Sequence, residues 1–364
     1  MGVFVLNKEK YFAAINSGSG FISYFDRIFN TAAASRLYVI KSGPGTGKSS
    51  MMKRIAEAAE KTGNKVVYFY CSSDPYSLDG ILIPSLSAGV LDGTAPHATD
   101  PKYPGAADVL LDFYPYLDDK KLAEHKAEII ALTDKNRALH KKSSSYRRYA
   151  ALAAREALDA VRECVDTDKL NCAVKRAAGA VKAEKGRAEH RQISAFSSRG
   201  RVRFDTYEQS SHKINAVCDE HGSACLFMNS LRAELIKKET AFYYSTDTLL
   251  PENCEAIFLP DAKECFVITG KAADTDRGDY TKIINMKRFI KPDAYKAARG
   301  RIRLCEKTKK ALDDEALKII TAAGETHDEL EKYYISATDF DGVRAETDRV
   351  IEKLRIQNSE FRDE

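Results

Sequence analysis

The sequence predicts a duplicated α/β protein in which the second copy is worn and each copy is followed by long helices. Three observations carry this. A buried strand, a glycine-rich turn, a helix and another strand succeed one another between Leu37 and Cys71, the order expected of a three-layer α/β domain. Fragments of the same segment recur in the same order after residue 190. Between and after the copies lie stretches dominated by Ala, Leu, Lys, Glu and Arg.

In chain order, Tyr11 to Asn16 is a short apolar run ending in Ser-Gly-Ser-Gly, a strand and turn. Phe21, Phe25, Ile28 and Phe29 follow at helical spacing. Leu37-Tyr38-Val39-Ile40 is a compact buried strand. A helix starts near Lys48 and runs to about Lys61, with Met51, Met52, Ile55 and Ala59 on its inner face and Gly63 as its stop. Val66–Cys71 is the next strand, and Ile81–Pro84 and Ala88–Leu91 are close enough to form a hairpin. From Asp118 to about Val165 no proline interrupts a long helix or a broken pair. Asp166–Lys169 is a turn, and Cys172–Glu189 reads as a returning helix. The expected domains are 1–117 (nucleotide-binding α/β), 118–189 (helical hairpin), 190–290 (degenerate α/β half) and 291–364 (helical).

The repeat rests on three echoes. "FYCSSD" (Phe69–Asp74) resembles "YYSTD" (Tyr243–Asp247). "ILIPSLSAGVLDGT" (Ile81–Thr94) resembles "IFLPDAKECFVITG" (Ile257–Gly270), with Pro84 over Pro260. "AINSGSGFISYFD" resembles "SAFSSRGRVRFD" (Ser194–Asp205). Counting back, the second glycine-rich loop should fall near Val217–Ala224, which has no Gly-Lys-Ser. The strand that ends in Asp92 in the first copy ends around Val267–Thr269 in the second, without an acid.

"KSGPGTGKSS" (Lys41–Ser50) is the stretch that carries chemistry. Polyphosphate binding needs inward-pointing backbone N–H groups, a fixed positive charge and a hydroxyl for Mg²⁺. Glycines let the backbone approach, and the helix end adds its partial positive charge. Lys48 supplies the charge for the β- and γ-phosphates and Ser49 the hydroxyl. The expected architecture is therefore a duplicated P-loop NTPase fold with long helical insertions. ATP and Mg²⁺ are the expected cofactors. Ser42, Gly43, Gly45, Thr46, Gly47, Lys48, Ser49 and Ser50 are the nucleotide-binding candidates, Lys48 and Asp92 the catalytic ones, and Ser49 and Asp92 the metal ligands. Asp74 is the second choice for the acid. Ser42 replaces the first glycine of the usual Gly-x-x-x-x-Gly-Lys-Ser/Thr pattern. A positive φ there would cost a serine about 1–2 kcal/mol.

Other groups are weaker. His97 lies in a proline- and glycine-rich loop and is either exposed or a contact for phosphate or substrate. Cys218, His221 and Cys225 have zinc-like spacing, but structural zinc usually wants four ligands and no fourth follows. Arg187, Arg191, Arg199, Arg201 and Arg203 form a basic cluster at the start of the second copy, either a solvated strand or the source of an arginine finger. Lys141, Lys142, Arg147, Arg148, Arg155 and Arg162 make a charged helix face or a surface for an acidic partner.

With "SGPGTGKSSMMKRI", "YCSSDPYSLDGILIP" and "VLDGTAPHATDPKYPG" in view, the whole chain resembles a group of bacterial, mainly Firmicute, P-loop ATPase-like proteins built from two related halves. The resemblance implies a nucleotide loop on Gly43, Gly45, Gly47, Lys48 and Ser49. It also implies an Asp-(Gly or Ser)-Thr-Ala-Pro-His element on Asp92, Gly93, Thr94, Ala95, Pro96 and His97. The second half and Ser42 depart from the group's pattern.

The remaining expectations come from bulk properties. The chain's 364 residues suit two or three domains at about 100–200 residues each. A content of 44% hydrophobic and 30% charged residues reads as globular. A net charge of +4 is too mild to indicate nucleic acid by itself. No apolar run approaches the ~18 residues of a membrane span. Met1–Lys8 lacks the charged start of a signal peptide, and Leu6 breaks the myristoylation pattern after Gly2. The eight cysteines form no CxxC and read as reduced thiols of a cytoplasmic protein. The first expected function is a slow Mg-ATPase switch working through the first half. The alternatives are a phosphotransferase with its acceptor near Asp74, Asp79 or His97, and a nucleotide-regulated module whose basic helices hold a protein or nucleic acid.

Overall fold

Alternate residues of one strand, β4 (Arg36–Lys41), enter two different cores. Tyr38 and Ile40 pack beneath helix α2 (Lys48–Lys61) with Met51, Met52, Ile55 and Val90. Leu37 and Val39 face the other way, into a core shared with Phe258 and Val267 of the second half. This period-two alternation makes β4 the floor of one layer and the roof of another. The computed structural model describes residues 8–30, 32–95, 98–270 and 279–354. His97 and Pro96 lie outside them.

The first sheet contains β1 (Glu9–Phe12), β4, β5 (Val67–Tyr70), β6 (Leu78–Ile83), β7 (Ala88–Asp92) and β8 (Asp108–Asp112). Its order is β1-β5-β6-β7-β4-β8, and β6 alone runs against its neighbours. The second contains β9 (Ala188–His190), β12 (Lys213–Cys218), β13 (Phe242–Thr246), β14 (Cys254–Leu259), β15 (Glu264–Thr269) and β16 (Lys282–Asn285). Its order, β9-β13-β14-β15-β12-β16, is the same order with β14 as the antiparallel member. Even the irregularity recurs: the register shifts between Phe69 and Tyr70 in one sheet and between Ser245 and Thr246 in the other. Each half also has a hairpin, β2–β3 (Ala14–Ser17, Gly20–Ser23) and β10–β11 (Ser194–Ser197, Gly200–Arg203).

Strand register corrects one echo. Val67 pairs with Leu82 as Tyr243 pairs with Phe258, so Thr246 takes the place of Tyr70 and Asp247 that of Cys71. Asp247 is not the counterpart of Asp74. The single apolar run Tyr11–Asn16 is two strands, broken at Ala13.

Helices α1 (Phe25–Ile28), α3 (Asp119–Glu124) and α6 (Thr206–Gln209) are short, and the longer ones depart further from expectation. Helix α4 (Lys126–Cys164) has 39 residues and α8 (Pro292–Ser336) has 45, so they reach about 58 and 68 Å. They lie antiparallel along their length. Asn136 donates its side-chain N–H to the Ala323 carbonyl (2.7 Å), Ser143 its hydroxyl to that of Ala316 (2.9 Å), and Arg301 pairs with Glu156 (2.6 Å). The hairpin expected over 118–189 therefore does not close. The second limb, α5 (Thr167–Ala180), is shorter than expected. Its Leu170, Val174, Ala177 and Ala178 are buried with Phe227, Leu231 and Phe242 of the second half, beside α7 (Ala224–Lys237). Reciprocally, α9 (Phe340–Lys353), which follows the second half, buries Val343 and Val350 against α2 in the first. Each half has sent its last helix to the other.

The exchange is locked at both crossings. Asp118 N–H donates to Ala337 O (2.8 Å) and Asp339 N–H to Tyr116 O (2.8 Å). At the other crossing, Lys291 N–H donates to Cys164 O (2.9 Å) and Asp166 N–H to Phe289 O (2.7 Å). Asp166 and Asp339 also cap α5 and α9 through their side chains, which satisfies N–H groups a helix start leaves open. The isolated bridges Leu117–Thr338 and Val165–Ile290 relate the two arms by an offset of 173 residues. Among the described residues, no helix is long and apolar enough to cross a membrane.

Candidate functional site

The glycine-rich loop leaves the end of β4 and enters α2, between two parallel neighbours, β7 and β8. Gly45 (φ +66°) and Gly47 (φ +87°) hold left-handed backbone, which glycine adopts without the Cβ penalty of other residues. Ser42 is not among the positive-φ residues, so replacing glycine there carries no left-handed strain. Its hydroxyl is buried without a hydrogen-bond partner, a cost of about 1–3 kcal/mol.

The loop's cation is folded inward. Lys48 Nζ donates to the Gly43 carbonyl (2.5 Å) and lies 3.6 Å from Asp92 Oδ2. Thr46 donates its hydroxyl to the same carbonyl (3.0 Å). Asp92 is opposite Ile40 in the neighbouring strand. Its Oδ1 accepts from both the N–H (2.9 Å) and the hydroxyl (2.6 Å) of Thr94, which fixes the carboxylate toward Lys48. Ser49 Oγ accepts the Leu78 N–H (3.0 Å), and Ser50 is exposed. Helix α2 begins with no side-chain cap and no acid in its first turn. The start of a helix has four N–H groups without intrahelical partners and a partial positive charge, here beside a lysine.

The second half shows the same place filled. By strand register Asp219 succeeds Cys218 as Ser42 succeeds Lys41. The Asp219 carboxylate accepts the N–H groups of Gly222 (2.8 Å) and Ala224 (2.8 Å) at the start of α7. Burial pushes its carboxyl above the usual range, and those N–H groups pull it back. This half carries its own anion at the helix start, in the place that Ser42 takes in the first. Ala224 begins α7 as Lys48 begins α2, and Ile268, opposite Val217, stands where Asp92 does.

Other sequence candidates fall elsewhere. Asp74 accepts the Tyr76 N–H (3.1 Å), and Asp79 is 5% exposed. His221 accepts or donates at Glu306 (2.8 Å) and stacks on Tyr295; among the described residues no cluster fit for a metal occurs. Arg201 pairs with the buried Glu255, and Arg203 with Glu208 (2.6 Å). Arg191 pairs with Glu189 (3.2 Å) and Arg187 is exposed. Arg199 reaches the first half, over the Tyr76 ring (4.6 Å). The basic limb is not one open face: Arg147 is buried, pairs with Asp313 (2.9 Å) and covers Phe196 (4.2 Å).

The sequence reading missed what covers the loop. A Cβ on Gly43 would collide with the Tyr334 ring (2.4 Å), and one on Gly45 would come 3.0 Å from Ile335 and 3.1 Å from Glu331. One on Gly47 would come 3.5 Å from Phe340 and Val343. These residues belong to the end of α8 and the start of α9. The Glu331 carboxyl is held below the usual range mainly by its bond to His327, opposed by burial, with smaller help from the Gly45 N–H and the Lys48 charge. The residues lie far from the loop in sequence, and only the exchange of arms brings them there.

A family model described as nephrocystin 3, N-terminal, matches residues 23–80. That span runs from the end of β3 through the loop and α2 into β6 and stops short of Asp92. The match does not support the resemblance to the bacterial two-half group. Comparison with curated proteins gives no match, nor does comparison with solved structures.

Proposed function

We propose that the protein binds a nucleoside triphosphate, ATP with Mg²⁺, at the loop of its first half, and that the second half is a partner that has stopped binding. The chain is read as a duplicated P-loop NTPase fold and as a slow Mg-ATPase that acts as a switch. The observation that supports this is the contrast between the two helix starts. Asp219 supplies an internal anion to α7, whereas α2 begins uncapped beside Lys48 and Asp92.

In this reading the N–H groups of the Gly43–Ser50 turn receive the phosphate oxygens, and Lys48 exchanges its bond to Gly43 O for the β- and γ-phosphates. The Ser49 hydroxyl, released from Leu78, and Asp92 would hold Mg²⁺, the group that neutralises charge developing on the transferred phosphoryl. Thr94 keeps the Asp92 carboxylate aimed at that place. The test is fluorescent-ATP titration of wild type and Lys48→Ala, with circular dichroism to verify the fold. The variant should lose measurable binding; unchanged affinity would sink the assignment.

A further inference from the structure

The long arm that ends the second half delivers a carboxylate to the first half's loop. Glu331 packs its Cβ and carbonyl 3.1 Å from where a Cβ on Gly45 would stand, and its carboxylate lies 3.4 Å from His327 on the same helix. One turn on, Tyr334 and Ile335 cover Gly43 and Gly45, and Phe340 and Val343 cover Gly47. The arm is thus seated on the loop, and its Glu331 carboxylate is close enough for the Gly45 N–H and the Lys48 charge to act on it.

The equivalent arm of the first half makes the comparison. The offset of 173 residues puts Leu158 in the place of Glu331, Val161 in that of Tyr334 and Leu170 in that of Val343. All three are buried, and Val161 and Leu170 belong to the core beneath α7. Over the loop that is filled by Asp219, the counterparts of Glu331 and Tyr334 are apolar, and that of Ile335 is Arg162, paired with Asp159 (2.7 Å). Over the first half's loop the arm carries Glu331 and a 46% exposed Ile335.

We infer that Glu331 is a specificity-determining residue of the nucleotide site, standing where the terminal phosphate would come, so that a triphosphate has to displace it and a diphosphate does not. Lys48 is the group that reaches the β- and γ-phosphates, and a carboxylate near Lys48 therefore sits at the outer end of the phosphate chain. A phosphate brought up to Lys48 repels a carboxylate facing the same place; Asp92, held by Thr94, is the carboxylate that the reading above keeps for Mg²⁺. Displacing Glu331 loosens the α8–α9 junction from Gly43, Gly45 and Gly47, which gives the γ-phosphate a differential effect on the arm. The inference rests on the nucleotide-binding reading above.

The experiment measures Kd for Mg-ATP and Mg-ADP on the full chain, wild type and Glu331→Gln, with Lys48→Ala as control. The Gln variant keeps shape and removes charge. It should tighten ATP by roughly tenfold, within the 5–150-fold range typical of coupled sites, and leave ADP little changed. Hydrogen exchange on wild type gives a readout that needs no variant: ATP, not ADP, should speed exchange over 327–343. An unchanged ATP-to-ADP ratio together with equal exchange overturns the inference while Lys48-dependent binding leaves the reading intact. Absence of binding of either nucleotide to wild type overturns both.

Discussion

Ser143 donates its hydroxyl to the carbonyl of Ala316, and the two residues are counterparts, 173 positions apart like the paired crossings of the arms. A residue that touches its own counterpart marks the point about which the halves are related. Both are buried, so the long helices meet there without room for larger side chains.

The relation carries a test of packing. A Cβ on Gly18 would collide with Ala151 and with the Leu249 carbonyl, and in the other half Ser198 packs on Gly324, 3.1 Å from where its Cβ would be. Small meets smaller in both places, in opposite assignments. Gly18→Ala should destabilise the protein by about 1–3 kcal/mol, and adding Ala151→Gly should recover part of this. Urea midpoints of the single and double variants measure it; a purely additive double variant would deny the contact.

Asp219 gives a second test. Its carboxylate satisfies the N–H groups of Gly222 and Ala224, so Asp219→Ala should cost about 1 kcal/mol, as lost caps do. The thermal midpoint should fall while ATP affinity in the first half stays the same. A large loss of ATP binding would mean that the second loop contributes to the site.

His190 predicts a pH dependence. Its ring lies between Tyr24 and Tyr244 and bonds Gln192. Burial pushes its imidazole down to about 4, although the Gln192 bond opposes the shift, whereas an unfolded chain titrates near ~6.5. Above that pH both states are neutral. Between about 6.5 and 4 the unfolded chain takes a proton and the folded one does not, so stability falls as pH falls. The loss should be roughly 2 kcal/mol after allowance for the ring's partial exposure. His190→Gln should remove that part of the slope in urea titrations at pH 7 and pH 4.5; equal slopes would refute it.

The loop and α2 were legible because glycines, a lysine and inward Met51, Met52 and Ile55 leave few other structures open. The repeat was legible through Pro84 and Pro260, which stand at the same turn between antiparallel strands. Letter likeness misled at Asp247, where a matching Ser-x-Asp pattern conceals a three-residue shift that only strand pairing reveals. The arms were least legible. Leu170, Val174 and Ala177 announce an amphipathic helix, but such a stripe does not say which groove receives it. Glu331 has no local motif at all; its meaning comes from Gly45, nearly three hundred residues earlier.

The exchanged end helices make the two halves hostages of each other. The sole covalent passage from α5 to the second sheet is the stretch 181–187, largely exposed and outside any helix or strand. A protease that cuts there would yield two fragments on a gel but one particle in solution, since each fragment has its last helix buried in its neighbour. Either fragment made alone would lack the helix that roofs its own sheet, so the fold is an exchanged pair carried on one chain.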